Sequence, residues 1–188
     1  PVMMQDLEKI RSVIEATSNE TPEEFWAKVH PYLQGDMFAL CALDMAYNDL
    51  YARQQGKKLH ELWHYNIERN PLTNYTIGID TPDVIREKLK DAEAFKVIKV
   101  KLGRDNDQEI IETIRSMTNV PLYVDANQGW ADKIKAIDLI YWLHNQGVVL
   151  IEQPMDKNNL DGNAWLTERS PIPLLADEAV QRLADMDK

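Results

Sequence analysis

The sequence predicts an α/β fold in which a helical region precedes about the first five strands of a (β/α)8 barrel. Three observations carry this. From about residue 75, short β-type apolar runs alternate with helical stretches. Strand–helix alternation of that kind implies parallel strands joined by right-handed crossovers. Four of the apolar runs close on a charged residue, Lys101, Asp125, Glu152 and Asp177, at intervals of 24, 27 and 25 residues. Each interval is about one βα unit. The stretch before residue 65, by contrast, reads as helix throughout. Two domains are expected, 1–65 and 66–188.

Taken in order, Leu7, Ile10, Val13 and Ile14 give a first amphipathic stripe. Thr21-Pro22-Glu23-Glu24 is a helix start: Thr21 can cap, Pro22 sits where its missing N–H costs nothing, and Glu24 can complete a capping box. A third helix is expected over about 37–55, closed by Gly56, which takes the left-handed conformation cheaply. Its single cysteine, Cys41, lies among Phe38, Ala39, Ala42, Leu43 and Ala46 and is expected to be a buried packing thiol. Lys58–Trp63 continues as a short helix or turn. Strands are then expected at Tyr75–Ile79, Val97–Lys101, Leu122–Asp125, Val148–Glu152 and Leu174–Asp177. Helices fall between them, the first opening at Thr81-Pro82.

Parallel strands occur in doubly wound sheets as well as in barrels. A doubly wound sheet gathers its ligands where the strand order reverses. Consecutive strands that each deliver a charged side chain to one end fit a barrel better, because they curve round a common axis.

The formal charge of −10 and the lack of a basic cluster argue against a nucleic-acid backbone as partner. No apolar run approaches the roughly 18 residues of a membrane span. One cysteine excludes an internal disulfide and fits a reducing compartment, so the cytoplasm is the expected location. A homo-oligomer is compatible with the sequence.

The strand-end residues carry the chemistry. Residues two apart on a strand share a face, so Leu150 directs Glu152, and Leu175 directs Asp177, toward the barrel mouth. Three carboxylates brought together repel unless a cation neutralises them. A donor set of hard oxygens without histidine or cysteine favours Mg²⁺, with Mn²⁺ as the alternative ion. Lys99 and Lys101 share one face of their strand, and two adjacent ammonium groups disfavour each other's charge. At least one lysine pKa is therefore expected to fall, making that lysine a usable base.

Four segments, Lys99-Val100-Lys101-Leu102-Gly103, Val124-Asp125-Ala126-Asn127-Gln128-Gly129-Trp130, Ile151-Glu152-Gln153-Pro154 and Ala176-Asp177-Glu178, together resemble successive barrel signatures of the muconate-lactonizing subgroup of the enolase superfamily. Thr76-Ile77-Gly78-Ile79 with Thr81-Pro82 resembles the first barrel strand of its dipeptide epimerases (L-Ala-D/L-Glu epimerases). Ala39–Gln55 with Gly56, Leu59, Leu62 and Trp63 resembles the helical end of the family's α+β capping domain.

The resemblance implies a racemase or epimerase acting on a small carboxylate or dipeptide. Lys101 would remove the proton α to the carboxylate, with Lys99 tuning it. Asp125, Glu152 and Asp177 would hold Mg²⁺. Thr76 would face the substrate, and Asn127 would support a metal ligand from behind. Local hydrogen bonding in a strand or turn is the competing reading for Thr76 and Asn127. Trp130 is expected near the mouth. Muconate cycloisomerisation, o-succinylbenzoate synthesis and N-acylamino acid racemisation share the same metal and Lys101. A non-catalytic α/β metal-binding fragment is the alternative of a different kind. The resemblance also implies an incomplete chain, with the capping-domain strands before Pro1 and a second lysine and specificity residues beyond Lys188. Such a fragment alone is expected to bind metal weakly and not to epimerise.

Overall fold

A computed structural model of the chain describes residues 2–187. The chain divides into two compact units, Pro1–Asn70 and Pro71–Lys188. The first is entirely helical among the described residues. It comprises α1 (Val2–Lys9), α2 (Arg11–Glu15), α3 (Pro22–Leu33), α4 (Met37–Gln54), α5 (Leu59–Leu62) and a 3-10 turn at Ile67–Arg69. The start of α3 is a complete capping box: Glu24 N–H donates to Thr21 Oγ1 (3.3 Å) and Thr21 N–H to Glu24 Oε2 (2.8 Å). Asp36 caps α4 through the Ala39 N–H. Gly56, at φ +64°, ends that helix, with Lys57 N–H returning to the Ala52 carbonyl. Ile10, Phe25, Val29, Leu33, Ala39, Leu40 and Tyr47 form this unit's core, with the rings of Phe25 and Tyr47 stacked at 3.9 Å.

Cys41 departs from expectation: its thiol is exposed. The helix α4 is apolar on nearly all sides, so sequence periodicity did not single out its inner face. The buried residues are Ala39, Leu40, Tyr47, Asn48 and Ala52, while Cys41 lies on the outer side with Phe38 and Met45.

The second unit alternates strand and helix: β1 (Tyr75–Ile77), α6 (Pro82–Asp91), β2 (Ile98–Lys101), α7 (Asp107–Arg115), β3 (Leu122–Asp125), α8 (Lys133–Asn145), β4 (Val148–Glu152), α9 (Leu160–Arg169) and β5 (Leu174–Leu175). The strands form one parallel sheet in the order β1-β2-β3-β4-β5. Sequential order without reversal is the barrel winding and excludes a doubly wound sheet. Ile77, Ile98, Val100, Leu122, Val124 and Ile151 on the strands pack with Ile85, Leu89, Ile110, Ile111, Ile114, Ile140 and Leu143 on the helices. The intervening residues, including Lys99, Lys101 and Tyr123, take the other face and are half-buried. Val149 is an extra residue in the β3–β4 register: Leu122 pairs with Val148 but Tyr123 with Leu150. That shift lets Glu152, rather than Ile151, fall opposite Asp125. Among the described residues, no helix is long and apolar enough to cross a membrane.

Candidate active site

Three of the expected site residues are the last residues of their strands: Lys101 on β2, Asp125 on β3 and Glu152 on β4. They are also register partners, Lys101 with Asp125 and Asp125 with Glu152. In a parallel sheet, paired residues point to the same side, so the register alone brings the three head groups together. Lys99, two residues before Lys101, reaches the same cluster from below.

The result is a compact charge network. Lys101 Nζ donates to Asp125 Oδ2 at 2.6 Å. Lys99 Nζ lies 3.0 Å from the same oxygen and 2.6 Å from Glu152 Oε2. Asp125 is almost fully enclosed, at 1% exposure, and its second oxygen accepts the Asn127 N–H at 3.0 Å. Thr76 pairs with Lys99 across β1 and β2, shares its face and is exposed.

Proton affinities follow from these contacts. Burial pushes the Asp125 carboxyl up, but the two lysines and the Asn127 N–H outweigh it, and Asp125 ends below the usual carboxylate range. Burial and the negative charge of Asp125 push Glu152 above its usual value, with only Lys99 opposing. Lys99 is not the lysine whose pKa falls. Burial lowers it, yet hydrogen bonds to Glu152 and Asp125 win, and its pKa is raised rather than depressed. Asp125 Oδ2 stands between the two ammonium groups, and Glu152 adds a second carboxylate against Lys99.

Asp177 is placed differently. β5 ends at Leu175, so Asp177 stands two residues past the strand rather than at its tip, and it is exposed. Among the described residues, no three acids, histidines or cysteines converge as a metal-holding group. The fit of a divalent cation can still be judged from the pair that does converge. A single cationic point, Lys99 Nζ, touches both Asp125 and Glu152. Two hard oxygen donors around one positive centre suit Mg²⁺, which commonly takes one or two carboxylates and keeps several waters. The donor chemistry fits, with Asp177 the member not gathered.

Asn127 reaches Asp125 through its backbone N–H, its side chain being exposed. Trp130 is buried on the helix side, where Nε1 donates to Asp107 Oδ2 at 2.9 Å. Asp107, which sequence reading passed over, also accepts the N–H groups of Gly103 and Arg104. It thereby ties the loop after Lys101 to the loop after Asp125. Those loops nearly touch: a Cβ on Gly103 would lie 2.2 Å from the Ala126 carbonyl oxygen. Gln153, buried beside Glu152, was likewise given no role from sequence. Gln153 falls within the segment that bears Glu152, whereas Asp107, the first residue of α7, lies outside the segments that carry the resemblance.

Consecutive parallel strands that carry lysines and acids at their carboxyl ends define the face of a barrel at which side chains from several strands meet. The chain belongs to the family described as Enolase C-terminal domain-like, whose pattern matches residues 84–188. It is 52% identical over 179 residues to the L-Ala-D/L-amino acid epimerase of Flavobacterium johnsoniae, covering 95% of this chain and 53% of that protein. It is 53% identical over 152 residues to the L-Ala-D/L-Glu epimerase of Bacteroides thetaiotaomicron, covering 80% and 40%. The dipeptide epimerase of Cytophaga hutchinsonii, solved with Mg and the dipeptide D-Ala-L-Val, superposes at a TM-score of 0.76 with 26% identity, covering 91% and 48%. The chain spans about half the length of the curated relatives it matches. Its five-stranded parallel sheet matches the TIM-barrel-like fold of the enolase superfamily.

Proposed function

We propose that the protein epimerises dipeptides, with Lys101 as the base that removes the proton α to a carboxylate. The observation that carries this is the shared point of contact: Lys101 and Lys99 both meet Asp125, and Lys99 joins Asp125 to Glu152. A base and a cation-binding carboxylate pair therefore occupy one cluster. The dipeptide substrate class is supported by the similarity to dipeptide epimerases.

Asp125 and Glu152 would hold Mg²⁺, with Asp177 as the third carboxylate and Mn²⁺ as a substitute ion. When bound, that ion supplies positive charge beside the substrate carboxylate, where negative charge accumulates as the α-proton leaves. Asp125 orients Lys101 through the 2.6 Å contact. Lys101 in its amine form takes the α-proton, so a C–H bond breaks and an N–H bond forms. Lys99 stays charged, because its two carboxylate partners favour the ammonium, and adds a positive field to the pocket. Thr76 lies on the same face as Lys99 and is assigned to the substrate side. Asn127 keeps Asp125 aimed through its N–H. Inversion needs a second acid on the opposite face of the α-carbon, which would give up its proton there to yield the epimer while Lys101 keeps the one it took. In the same reading, the first unit is the helical part of a capping domain and the second is barrel. The cytoplasm is the location that a single cysteine supports.

The test is hydrogen exchange into D₂O followed by NMR, using protein expressed from the complete coding sequence with Mg²⁺. L-Ala-L-Glu and related dipeptides should exchange their α-proton and epimerise, whereas acylamino acids and muconate should not react. Lys101→Ala should lose the exchange while still binding Mg²⁺. Exchange that persists in Lys101→Ala would remove Lys101 from its role. Turnover of muconate or acylamino acids but not dipeptides would reassign the substrate.

A further inference from the structure

Gln153 directly follows Glu152, is 1% exposed, and holds a backbone φ of +37°. Residues other than glycine seldom adopt that region, and such conformations persist only where surrounding contacts enforce them. Here the contacts come from β5 and from the loops that follow β3, β4 and β5. Gln153, just past β4, donates its N–H to the carbonyl of Leu175, the last residue of β5, and its own carbonyl accepts the Gln128 N–H from the loop after β3, both at 2.8 Å. The side-chain amide then reaches the segment after β5. Its Oε1 accepts the N–H of Asp177 at 2.9 Å and that of Ala179 at 3.1 Å. Its Nε2 donates to the Met155 carbonyl at 3.0 Å.

This arrangement explains why β5 stops at Leu175. Beyond that residue, the backbone N–H of Asp177 is satisfied by a glutamine side chain instead of a neighbouring strand. A buried amide is needed for both ends of the contact. Methionine fills the space but accepts and donates nothing, and glutamate would set an oxygen against the Met155 carbonyl. The Asp177 backbone is thus tethered to the residue beside Glu152.

We propose that Gln153 is a positioning residue that seats the Asp177 segment against the Asp125–Glu152 pair, so that the three carboxylates can serve one divalent cation. This rests on the reading that those carboxylates share an ion, and it adds the group that makes the third one available. Gln153 acts through the backbone of Asp177 and touches neither substrate nor ion.

The experiment is a double-mutant cycle read by Mg²⁺ affinity, with Mn²⁺ paramagnetic resonance as a second probe. It uses wild type, Gln153→Met, Asp177→Asn and the double variant, each expressed from the complete coding sequence. Groups that support a metal ligand from behind typically change affinity about 10–100-fold, and that loss is expected for Gln153→Met. In the Asp177→Asn background, Gln153→Met should cost nothing further. Amide exchange at residues 177 and 179 should accelerate in metal-free Gln153→Met. Gln153→Asn keeps the amide but withdraws it by one methylene. It should move affinity and exchange in the same direction, and it carries the test if the methionine variant does not fold. Losses that simply multiply in the double variant, or wild-type affinity in both Gln153 variants, would overturn the proposal. If Asp177→Asn alone retains wild-type affinity, the shared-ion reading falls and this inference with it, although exchange at 177 and 179 would still respond to Gln153→Met.

Discussion

The two ends of the five-stranded sheet use partly buried charge for opposite purposes. Where the strands begin, Arg115 leaves the end of α7 and donates to backbone carbonyls only: those of Thr118 at 3.2 Å, Val120 at 2.8 Å and Gly147 at 3.3 Å, and that of Gln146. One cation there joins the entries to β3 and β4 and leaves no chemistry exposed. Where the strands finish, Lys99, Lys101, Asp125 and Glu152 are packed against one another, and Asn127, Gln128 and Gln153 in the adjoining loops all have positive φ. Backbone strain and mutually perturbed charge are concentrated at that end. In barrels of this kind the finishing end is catalytic and the starting end structural.

Substitutions at the two ends should therefore fail in different ways. At the finishing end, Lys101→Ala should reduce α-proton exchange by about 10²–10⁴-fold, the usual contribution of a positioned base, while denaturant unfolding stays close to wild type. At the starting end, Arg115→Met strips donors from several partly buried carbonyls and should cost about 1–2 kcal/mol in urea unfolding. Exchange activity per folded molecule should be unchanged. If Arg115→Met lowers activity as strongly as Lys101→Ala, the division between the ends is wrong.

The first unit provides a scale for both. Thr21→Ala removes the capping box of α3 and should cost about 1 kcal/mol in thermal unfolding. The smallest effect concerns Glu20, whose carboxyl is held down to about 2, first by the Lys28 ammonium at 2.7 Å and then by the Ser18 N–H. A carboxyl depressed on folding favours the folded state above its ordinary value of 4.5, and that contribution fades as pH falls through about 2. NMR titration should place the Glu20 midpoint near 2 and return it toward 4.5 in Lys28→Met.

Much of this was legible in the sequence because the second unit repeats one signal. Leu122–Asp125 and Val148–Glu152 are strands with the expected bounds, since each is a short apolar run closed by a charge and followed by a helix start. The capping box at Thr21 and the stop at Gly56 were equally readable, being local devices of a few residues. What was not legible depends on contacts far apart in sequence. Asp177 reads like Asp125 and Glu152, yet its N–H is claimed by Gln153, 24 residues earlier, and the strand ends short. The rise in the Lys99 pKa comes from carboxylates on two other strands. Cys41 was misplaced for the converse reason: an apolar helix has no period that marks its inner face.

On the proposed reading, Asp125 and Glu152, with Asp177, serve one divalent cation beside Lys101. The most direct measurement is anomalous diffraction from a crystal of the protein soaked in Mn²⁺. A single peak is expected within bonding distance of carboxylate oxygens of all three acids, with Lys101 Nζ adjacent. A peak elsewhere, or ions bound to these acids separately, would contradict it.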